Sequence, residues 1–367
     1  MRASAIRMRV TALLALLLMT AMSAGGMERI EISKDKTGFV LAPSAAKFVP
    51  WGLNYGNAGR LIEDFWETEW GTVERDWADM KGMGANVVRV HLQFGKFMET
   101  AERPNEKALA MLAKLLALSE KTGIYLDLTG LACYRKADVP GWYDGLSEAD
   151  RWAAQARFWG AVAKTCEKSP AVFCYDLMNE AITAGGKRKP GEWYSGKLLG
   201  PYDFIQVLSL DQGDRKREEV GRDWIRLMSK AIRAEDKRHM ITIGLLPKVA
   251  KWGHLSGFLP AMTGPEVDFM CVHVYPEKGK VAEAVEMIKE FQVGQPLVIE
   301  ETFNLSCSMP ELVEFIKKSQ PTACGWIGHY DGLTVEGAEK VKKEGKISIP
   351  QVVYSEFLKM FREGVPK

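Results

Sequence analysis

Residues 147–180 read SEADRWAAQARFWGAVAKTCEKSPAVFCYDLMNE, a helical pattern followed by the pattern of a buried strand. In the first part, apolar residues recur every three or four positions, which is the period of an amphipathic helix. Ser147, followed by the acidic Glu148, is a suitable N-cap for that helix. From Ala171 the chain is apolar without two-residue alternation, as expected for a strand buried on both faces. The stretch therefore predicts one helix–strand unit of a parallel sheet.

The same unit recurs along the chain, where eight strand-like runs alternate with helical segments. The runs are KFVPWGLN, NVVRVHL, IYLDLTG, AVFCYDLMNE, MITIGLL, DFMCVHVYP, PLVIEETF and CGWIGHYD. This alternation predicts an α/β fold of the (β/α)8 TIM-barrel type. The alternative is an open doubly wound sheet, which should carry a Gly-rich turn after its first strand. The segment LNYGNAGRL at that place contains neither GxGxxG nor a P-loop motif.

Two segments stand outside this alternation. Residues 28–48 predict a short N-terminal hairpin, and residues 181–216 form a long loop after the fourth strand. Long connections are usually either functional or disordered. This one carries four aromatic residues, Trp193, Tyr194, Tyr202 and Phe204. We therefore expect the loop to be ordered and to form a wall of a cleft.

The first residues match a secretory signal peptide. Three Arg residues precede the apolar run TALLALLLMTAMSA at 11–24, and small residues end that run. The run is shorter than a comfortable membrane span. We predict that residues 1–24 are a signal peptide and that residues 28–367 form a single (β/α)8 domain. The mature protein would then be secreted or periplasmic, with no membrane attachment after cleavage. An uncleaved amphipathic N-terminal helix is the alternative.

Composition and charge narrow the function classes. Of 367 residues, 47% are hydrophobic and 26% are charged, which is typical of a globular chain. The net charge of +2 gives no electrostatic indication of nucleic-acid binding. Six Cys permit disulfides in an exported protein, although Cys174 and Cys271 lie in apolar runs typical of buried free thiols. No His is spaced as a zinc ligand from a Cys or another His, so the sequence gives no support for a zinc site.

Polar residues stand where the predicted strands end, which is where barrel enzymes place their active sites. The fourth run ends in Asn179 and Glu180, and the seventh contains Glu300 and Glu301. Two carboxyl groups on nearly opposite strands suit glycosidic bond cleavage. One protonates the leaving oxygen, while the other attacks the anomeric carbon or activates water.

Three motifs, DLMNE at 176–180, HVYP at 273–276 and PLVIEE at 296–301, resemble those of glycoside hydrolase family 5. They also resemble its wider clan of retaining (β/α)8 hydrolases, which includes cellulases and β-mannanases. The order and spacing of the eight runs extend the resemblance over most of the chain. It implies double-displacement hydrolysis of a plant-type or microbial β-glycan, with an oligo- or polysaccharide substrate and no cofactor.

The resemblance implies that Glu180 is the catalytic acid/base and that Glu301 is the nucleophile. In the family, the nucleophile usually falls five positions after a Pro that opens the strand, which from Pro296 gives Glu301. Glu300 is the alternative. Neighbouring strand residues point to opposite faces, so the two side chains should not both face one sugar. Glu300 would then be a structural carboxylate paired with a base.

Five more positions are implied to bind the substrate or the nucleophile: Arg89, Asn179, His273, Tyr275 and Trp326. Arg89 would stabilise the nucleophile's charge, and Tyr275 would donate a hydrogen bond to it. Asn179 would bind the sugar 2-hydroxyl, and His273 would contact the substrate. Trp326 would form the floor on which the sugar ring stacks. The remaining histidines carry no specific signal.

The chain departs from the family pattern at three places. Ala181 replaces the usual Pro after Asn-Glu, LTGLACY lacks a His after the third strand, and Thr302 replaces a Gly after the nucleophile. A carbohydrate-binding barrel without catalysis is therefore an alternative function. A metal-dependent hydrolase is another, and it would require several His or Asp converging at strand ends. The choice of β-glycan, endo or exo action, and hydrolysis or transglycosylation remain open at this point.

Overall fold

The computed structural model describes residues 26–184, 186–195, 202–248, 254 and 256–364, so the predicted signal peptide lies outside the described residues. Eight strands close into a barrel, and every neighbouring pair is parallel. They are β4 (Trp51–Gly56), β5 (Val87–Gln93), β6 (Tyr125–Ala132), β7 (Val172–Asn179), β10 (Met240–Leu245), β11 (Met270–His273), β12 (Leu297–Glu301) and β13 (Gly325–Asp331). The predicted (β/α)8 TIM barrel is confirmed.

Helices follow the barrel strands. They are α1 (Trp70–Gly82), α2 (Phe94–Phe97), α3 (Glu106–Thr122), α4 (Gly141–Asp144), α5 (Glu148–Cys166), α6 (Arg217–Glu235), α7 (Pro260–Thr263), α8 (Val281–Ile288), α9 (Met309–Ser319), α10 (Val335–Lys343) and α11 (Ile349–Glu363). Ser147 caps α5, its side chain accepting from the Asp150 N–H. Gly123 ends α3 in the left-handed conformation that glycine adopts most easily. None of the described helices has the length and apolarity needed to cross a bilayer.

The predicted N-terminal hairpin is a three-stranded antiparallel sheet of β1 (Arg29–Ile32), β2 (Phe39–Ala42) and β3 (Lys47–Phe48). Its side chains pack on the residues that begin the barrel strands. Phe39 contacts Phe173 and Phe269 edge-on at ring-centroid distances of 5.1 Å, and Phe48 contacts Tyr125 in the same way. The sheet therefore closes the amino end of the barrel, opposite the carboxyl ends of the strands.

The long loop after β7 carries a small antiparallel pair, β8 (Tyr194–Ser195) and β9 (Ile205–Gln206). Trp193 is buried, and its indole N–H donates to the Asp144 carbonyl 3.1 Å away. These contacts attach the described part of the loop to the barrel. All six cysteines are free thiols, and Cys174 and Cys271 are buried.

Candidate active site

A cavity of about 490 Å³ opens at the carboxyl ends of the barrel strands. This volume falls within the roughly 300–1,000 Å³ typical of small-molecule sites. Its lining includes six polar residues from strand ends: Asn54, His91, Asn179, Glu180, Glu301 and His329. The barrel thus brings both predicted catalytic carboxylates into one cavity.

Glu180 directly follows β7, and its N–H donates to the Gly244 carbonyl on β10. Its φ of 47° lies in the left-handed region, which costs a non-glycine residue about 1–3 kcal/mol. Such strain persists where the surrounding structure holds the residue in place. Carboxylate oxygens of Glu180 and Glu301 and a ring nitrogen of His273 lie within 4.8 Å of one another. The two carboxyl groups are therefore close enough to act on one bond.

Arg89 of β5 lies fully buried beneath the cavity. Its Nη1 donates to Glu301 Oε1 at 2.6 Å, and its Nη2 donates to Asp176 Oδ2 at 2.7 Å. Burial alone would raise the pKa of Glu301, but the positive charges of His273 and Arg89 hold it below its usual range. Glu301 is therefore kept ionised, as a nucleophile requires.

Glu300 also points into the barrel, which differs from the regular alternation that we predicted. The ladder between β11 and β12 shifts register, since Val272 pairs with Ile299 whereas His273 pairs with Glu301. Glu300 is the extra residue of this bulge, and bulges change the direction of side chains. Its Oε2 lies 3.6 Å from Arg89 Nη2, so it is paired with a base. Glu300 is fully buried, whereas Glu301 lines the cavity.

His273 lies between three carboxylates. Its Nδ1 is 3.1 Å from Glu180 Oε1, and its Nε2 is 3.3 Å from Glu300 Oε2. Burial alone would lower the pKa of His273, but Glu301, Glu180 and Glu300 together raise it to about 10. We predicted that this residue contacts substrate. Only 1% of its surface is exposed, so the structure places it behind the carboxylates, where its imidazolium orients them.

Tyr275 follows β11, and its hydroxyl donates to Glu301 Oε2 at 2.6 Å. The same hydroxyl lies 2.9 Å from His329 Nε2, and the two rings stack. Burial lowers the pKa of His329, which favours the neutral imidazole. Because the phenolic proton goes to Glu301, His329 Nε2 must be the donor in the second bond. His329 was not among the site residues predicted from the sequence. Its position near the end of the eighth run was the signal that could have indicated it.

Asn179 links Arg89 to the loop after β7. Its Oδ1 accepts from Arg89 Nη2 at 3.0 Å, and its Nδ2 donates to the Phe204 carbonyl at 3.3 Å. The amide is thereby fixed at the base of the cavity, next to Glu180 in sequence.

Trp326 does not form the floor of the site, and that prediction is corrected here. It is the second residue of β13, paired with Trp51, and its indole N–H donates to Ser319 Oγ at 2.9 Å on α9. Of the residues of β13, those that line the cavity are at its carboxyl end, residues 329–331. Trp326 therefore packs between the barrel and its helices.

Other aromatic residues line the cavity instead. His91, Tyr134, Phe204 and Tyr202 follow one another with ring-centroid distances of 5.5, 5.1 and 5.5 Å. The His91 Nδ1 is 2.6 Å from the Tyr134 hydroxyl, which fixes the first pair. Aromatic faces of this kind suit the apolar faces of sugar rings. Tyr202 and Phe204 belong to the loop that we expected to wall a cleft.

Among the residues that the structure describes, two groups of side chains have the geometry to hold a cation. The first is Glu180, His273 and Glu301, and the second is Asp127, Asp176 and Glu300, which are all buried. In the second group, burial and the charge of Glu300 raise the pKa of Asp127 well above its usual range, which favours a protonated Asp127. Arg89 supplies positive charge to both groups.

Comparisons with known proteins agree with this architecture. The family model for cellulase (glycosyl hydrolase family 5) matches residues 53–295, which extend from within β4 to beyond β11. None of the curated protein sequences matches the chain significantly.

Solved structures share the fold at low sequence identity. An exo-β-1,4-mannosidase from Opitutaceae bacterium strain TAV5 has a TM-score of 0.64 and 16% identity, over 91% of this chain and 62% of that protein. An endo-1,4-β-mannanase from Eisenia fetida has a TM-score of 0.59 and 13% identity, over 82% and 89%. An endo-1,4-β-mannanase from Rhizomucor miehei has a TM-score of 0.58 and 16% identity, over 82% and 90%.

Proposed function

Because the chain belongs to glycosyl hydrolase family 5 and is a glycoside hydrolase, we propose that it cleaves a β-glycosidic bond by a retaining, double-displacement mechanism. The observation that carries this proposal is the closeness of Glu180 and Glu301, since one carboxylate oxygen of Glu180 lies within 4.8 Å of one of Glu301. Retaining enzymes separate their carboxyl groups by about 5–5.5 Å, whereas inverting enzymes need roughly 6.5–9.5 Å to place a water.

In the first step, a Glu301 oxygen attacks the anomeric carbon and the bond to the leaving oxygen breaks. The proton of the Glu180 carboxyl group goes to that leaving oxygen, and a glycosyl ester forms on Glu301. Arg89 and Tyr275 hold Glu301 through one oxygen each. These two bonds fix the carboxylate and keep it charged until it attacks.

In the second step, Glu180 is a carboxylate and takes a proton from water. The water oxygen bonds to the anomeric carbon, and the ester bond to Glu301 breaks. The His273 imidazolium lies 3.1 Å from Glu180 Oε1 and 3.5 Å from Glu301 Oε1. It therefore stabilises the negative charge that passes between the two carboxyl groups during the cycle.

For the substrate, we propose a β-1,4-linked glucan or mannan, as a free oligosaccharide or a polymer. The family model is that of a cellulase, and the mannosidase and mannanases named above share the fold. We further propose that residues 1–24 direct export and that residues 28–367 act as one catalytic domain. The N-terminal pattern of Arg residues and a short apolar run supports export.

The test is a hydrolysis screen of the mature protein on β-1,4-glucan, β-mannan, xylan and aryl β-glycosides, with Glu180→Gln as the control. Proton NMR of the first product formed would report its anomeric configuration. We expect a β-configured product from one polymer, and a rate with the variant that is lower by orders of magnitude. An α-configured first product would contradict retention.

A carbohydrate-binding barrel without catalysis is the second candidate, motivated by the departures in LTGLACY after the third strand and at Thr302 after the seventh. It predicts that oligosaccharides bind with measurable heat in calorimetry while no substrate of the screen is cleaved. Turnover that Glu180→Gln lowers by orders of magnitude would exclude it.

A further inference from the structure

One side of the cavity is crossed by residues 202–207, which we name the crossing segment. At one end, the Ile182 N–H, just beyond β7, donates to the Gln206 carbonyl at 2.8 Å. At the other end, the Tyr202 hydroxyl donates to the carbonyl of Gly59, in the loop after β4, at 3.1 Å. β7 and β4 are separated in the barrel by β5 and β6. The segment therefore spans the carboxyl ends of the strands on that side.

The middle of the crossing segment is held as well. The Asp203 N–H donates to the Tyr134 carbonyl at 2.7 Å, just beyond β6. Phe204 packs against the Tyr134 ring, and both side chains line the cavity. Three anchors after three different strands make this part of the loop a fixed wall.

The contact between Tyr202 and Gly59 is a close fit. A Cβ on Gly59 would lie 3.3 Å from the Tyr202 hydroxyl, and the φ of Gly59 is +72°, a conformation that other residues rarely adopt. Tyr202 and Gly59 both line the cavity. The wall is thus continuous from the end of β7 to the loop after β4.

The crossing segment is connected to Glu301 through Asn179 and Arg89. Asn179 bonds Phe204 of the segment through its Nδ2 and bonds Arg89 through its Oδ1. Arg89 in turn holds Glu301. A glycan chain seated at Glu301 would therefore meet this wall directly beyond the attacked residue.

We propose that the enzyme is exo-acting and accepts the non-reducing terminal residue of a β-glycan, because the crossing segment closes the cavity beyond the attacked sugar. This inference rests on the proposed function, and it names which bonds of the substrate are cleaved. An extended polymer cannot continue through a wall of backbone and aromatic rings, so only a chain end fits.

The first test compares two sets of β-1,4-gluco- and manno-oligosaccharides, one with a free non-reducing end and one with that end blocked as a methyl ether. The enzyme should release small products in succession from the free set. It should cleave the blocked set at least 10-fold more slowly, and leave polymer viscosity nearly unchanged early in the reaction. Equal rates on both sets, or an early fall in viscosity, would overturn exo action while leaving glycoside hydrolysis established. No cleavage of any oligosaccharide or aryl glycoside would instead overturn the proposed function, and the inference with it.

The second test opens the wall. Tyr202→Ala removes the ring and the hydrogen bond to Gly59, and it should speed cleavage of blocked oligosaccharides at least 5-fold. Tyr202→Phe removes the hydroxyl alone and should give a smaller gain. Tyr194→Phe is the matched control, because its hydroxyl donates to Asp144 outside the cavity. The melting temperature of each variant would show that it is folded. If a folded Tyr202→Ala or Tyr202→Phe variant cleaves blocked oligosaccharides as slowly as the wild type, the role of the crossing segment is overturned.

Discussion

Glu300 and Glu301 are neighbours on β12, yet both reach the same arginine: Glu301 Oε1 lies 2.6 Å from Arg89 Nη1, and Glu300 Oε2 lies 3.6 Å from Nη2. The bulge in β12 makes this possible. Only Glu301 lines the cavity, since Glu300 is fully buried. Glu301 can therefore contact a sugar in the cavity, whereas Glu300 cannot.

We predict that a fluorosugar with an activated leaving group labels Glu301 and leaves Glu300 unmodified. Glu301→Gln should abolish labelling, because it removes the carboxylate that forms the ester. Glu300→Gln should still be labelled, and its melting temperature should fall because Arg89 loses a buried counter-charge. Mass spectrometry of the labelled peptide is the measurement. A label on Glu300 would reverse the assignment.

We predict that Glu180→Gln lowers kcat by roughly 10²–10⁴-fold on oligosaccharides, the usual contribution of a general acid. The loss should be much smaller for the first step on an aryl glycoside with a good leaving group, since that oxygen needs no protonation. Rates for both substrates, measured side by side, give the comparison. Glu67→Gln, an exposed residue, is the control. Equal losses on both substrates would contradict an acid role.

We predict that His273→Asn moves the acid limb of the profile of kcat/KM against pH to higher pH. The positive charges of His273 and Arg89 hold the pKa of Glu301 below its usual value, so wild-type kcat/KM should fall only below about pH 4. Losing one of these charges raises that pKa, and the acid limb should move up by roughly one pH unit. An unchanged acid limb in a folded variant would show that His273 does not control Glu301.

We predict that Trp326→Phe lowers stability without weakening substrate binding. The variant loses the bond to Ser319, which should reduce the free energy of unfolding by about 1 kcal/mol. Its KM should match that of the wild type, because the side chain lies outside the cavity. Thermal unfolding and steady-state kinetics give the two values. A large rise in KM with unchanged stability would restore the stacking role.

We predict that a metal chelator leaves the activity unchanged. In the proposed mechanism, the two carboxyl groups and Arg89 provide the acid, the nucleophile and the positive charge that double displacement needs. The assay is the rate on an aryl glycoside before and after dialysis against EDTA. Activity lost on dialysis and restored by a divalent ion would show that one of the acidic clusters holds a cation.

The repeating pattern of the chain was sufficient to predict the barrel. Buried strands and amphipathic helices differ in period, and residues such as Ser147 and Gly123 mark the helix ends. The position of Glu180 followed from the rule that a barrel site lies at strand ends. These predictions depend on local sequence and on topology alone.

Other parts of the site depend on register, which the strand-like runs do not specify. Trp326 and His329 stand in the same run, and the pairing with β4 sets Trp326 beside Trp51 and His329 beside Asn54, which lines the cavity. The inward direction of Glu300 depends on a bulge that alternation cannot predict. Phe204 reaches the cavity through the path of a loop, whose course is set by tertiary contacts.

The sheet of β1, β2 and β3 also determines where the enzyme can be attached to a solid support. Arg29, the first residue of β1, donates to the Ser169 and Lys168 carbonyls below the barrel. Met27 packs on the same end of the barrel and the Glu28 carbonyl accepts from the Tyr125 hydroxyl, so the first described residues lie on the face opposite the cavity. An enzyme that begins at residue 26 and is immobilised on a solid support through a tag at this end would hold its cavity open to the surrounding solution, where bulky glycans can reach it.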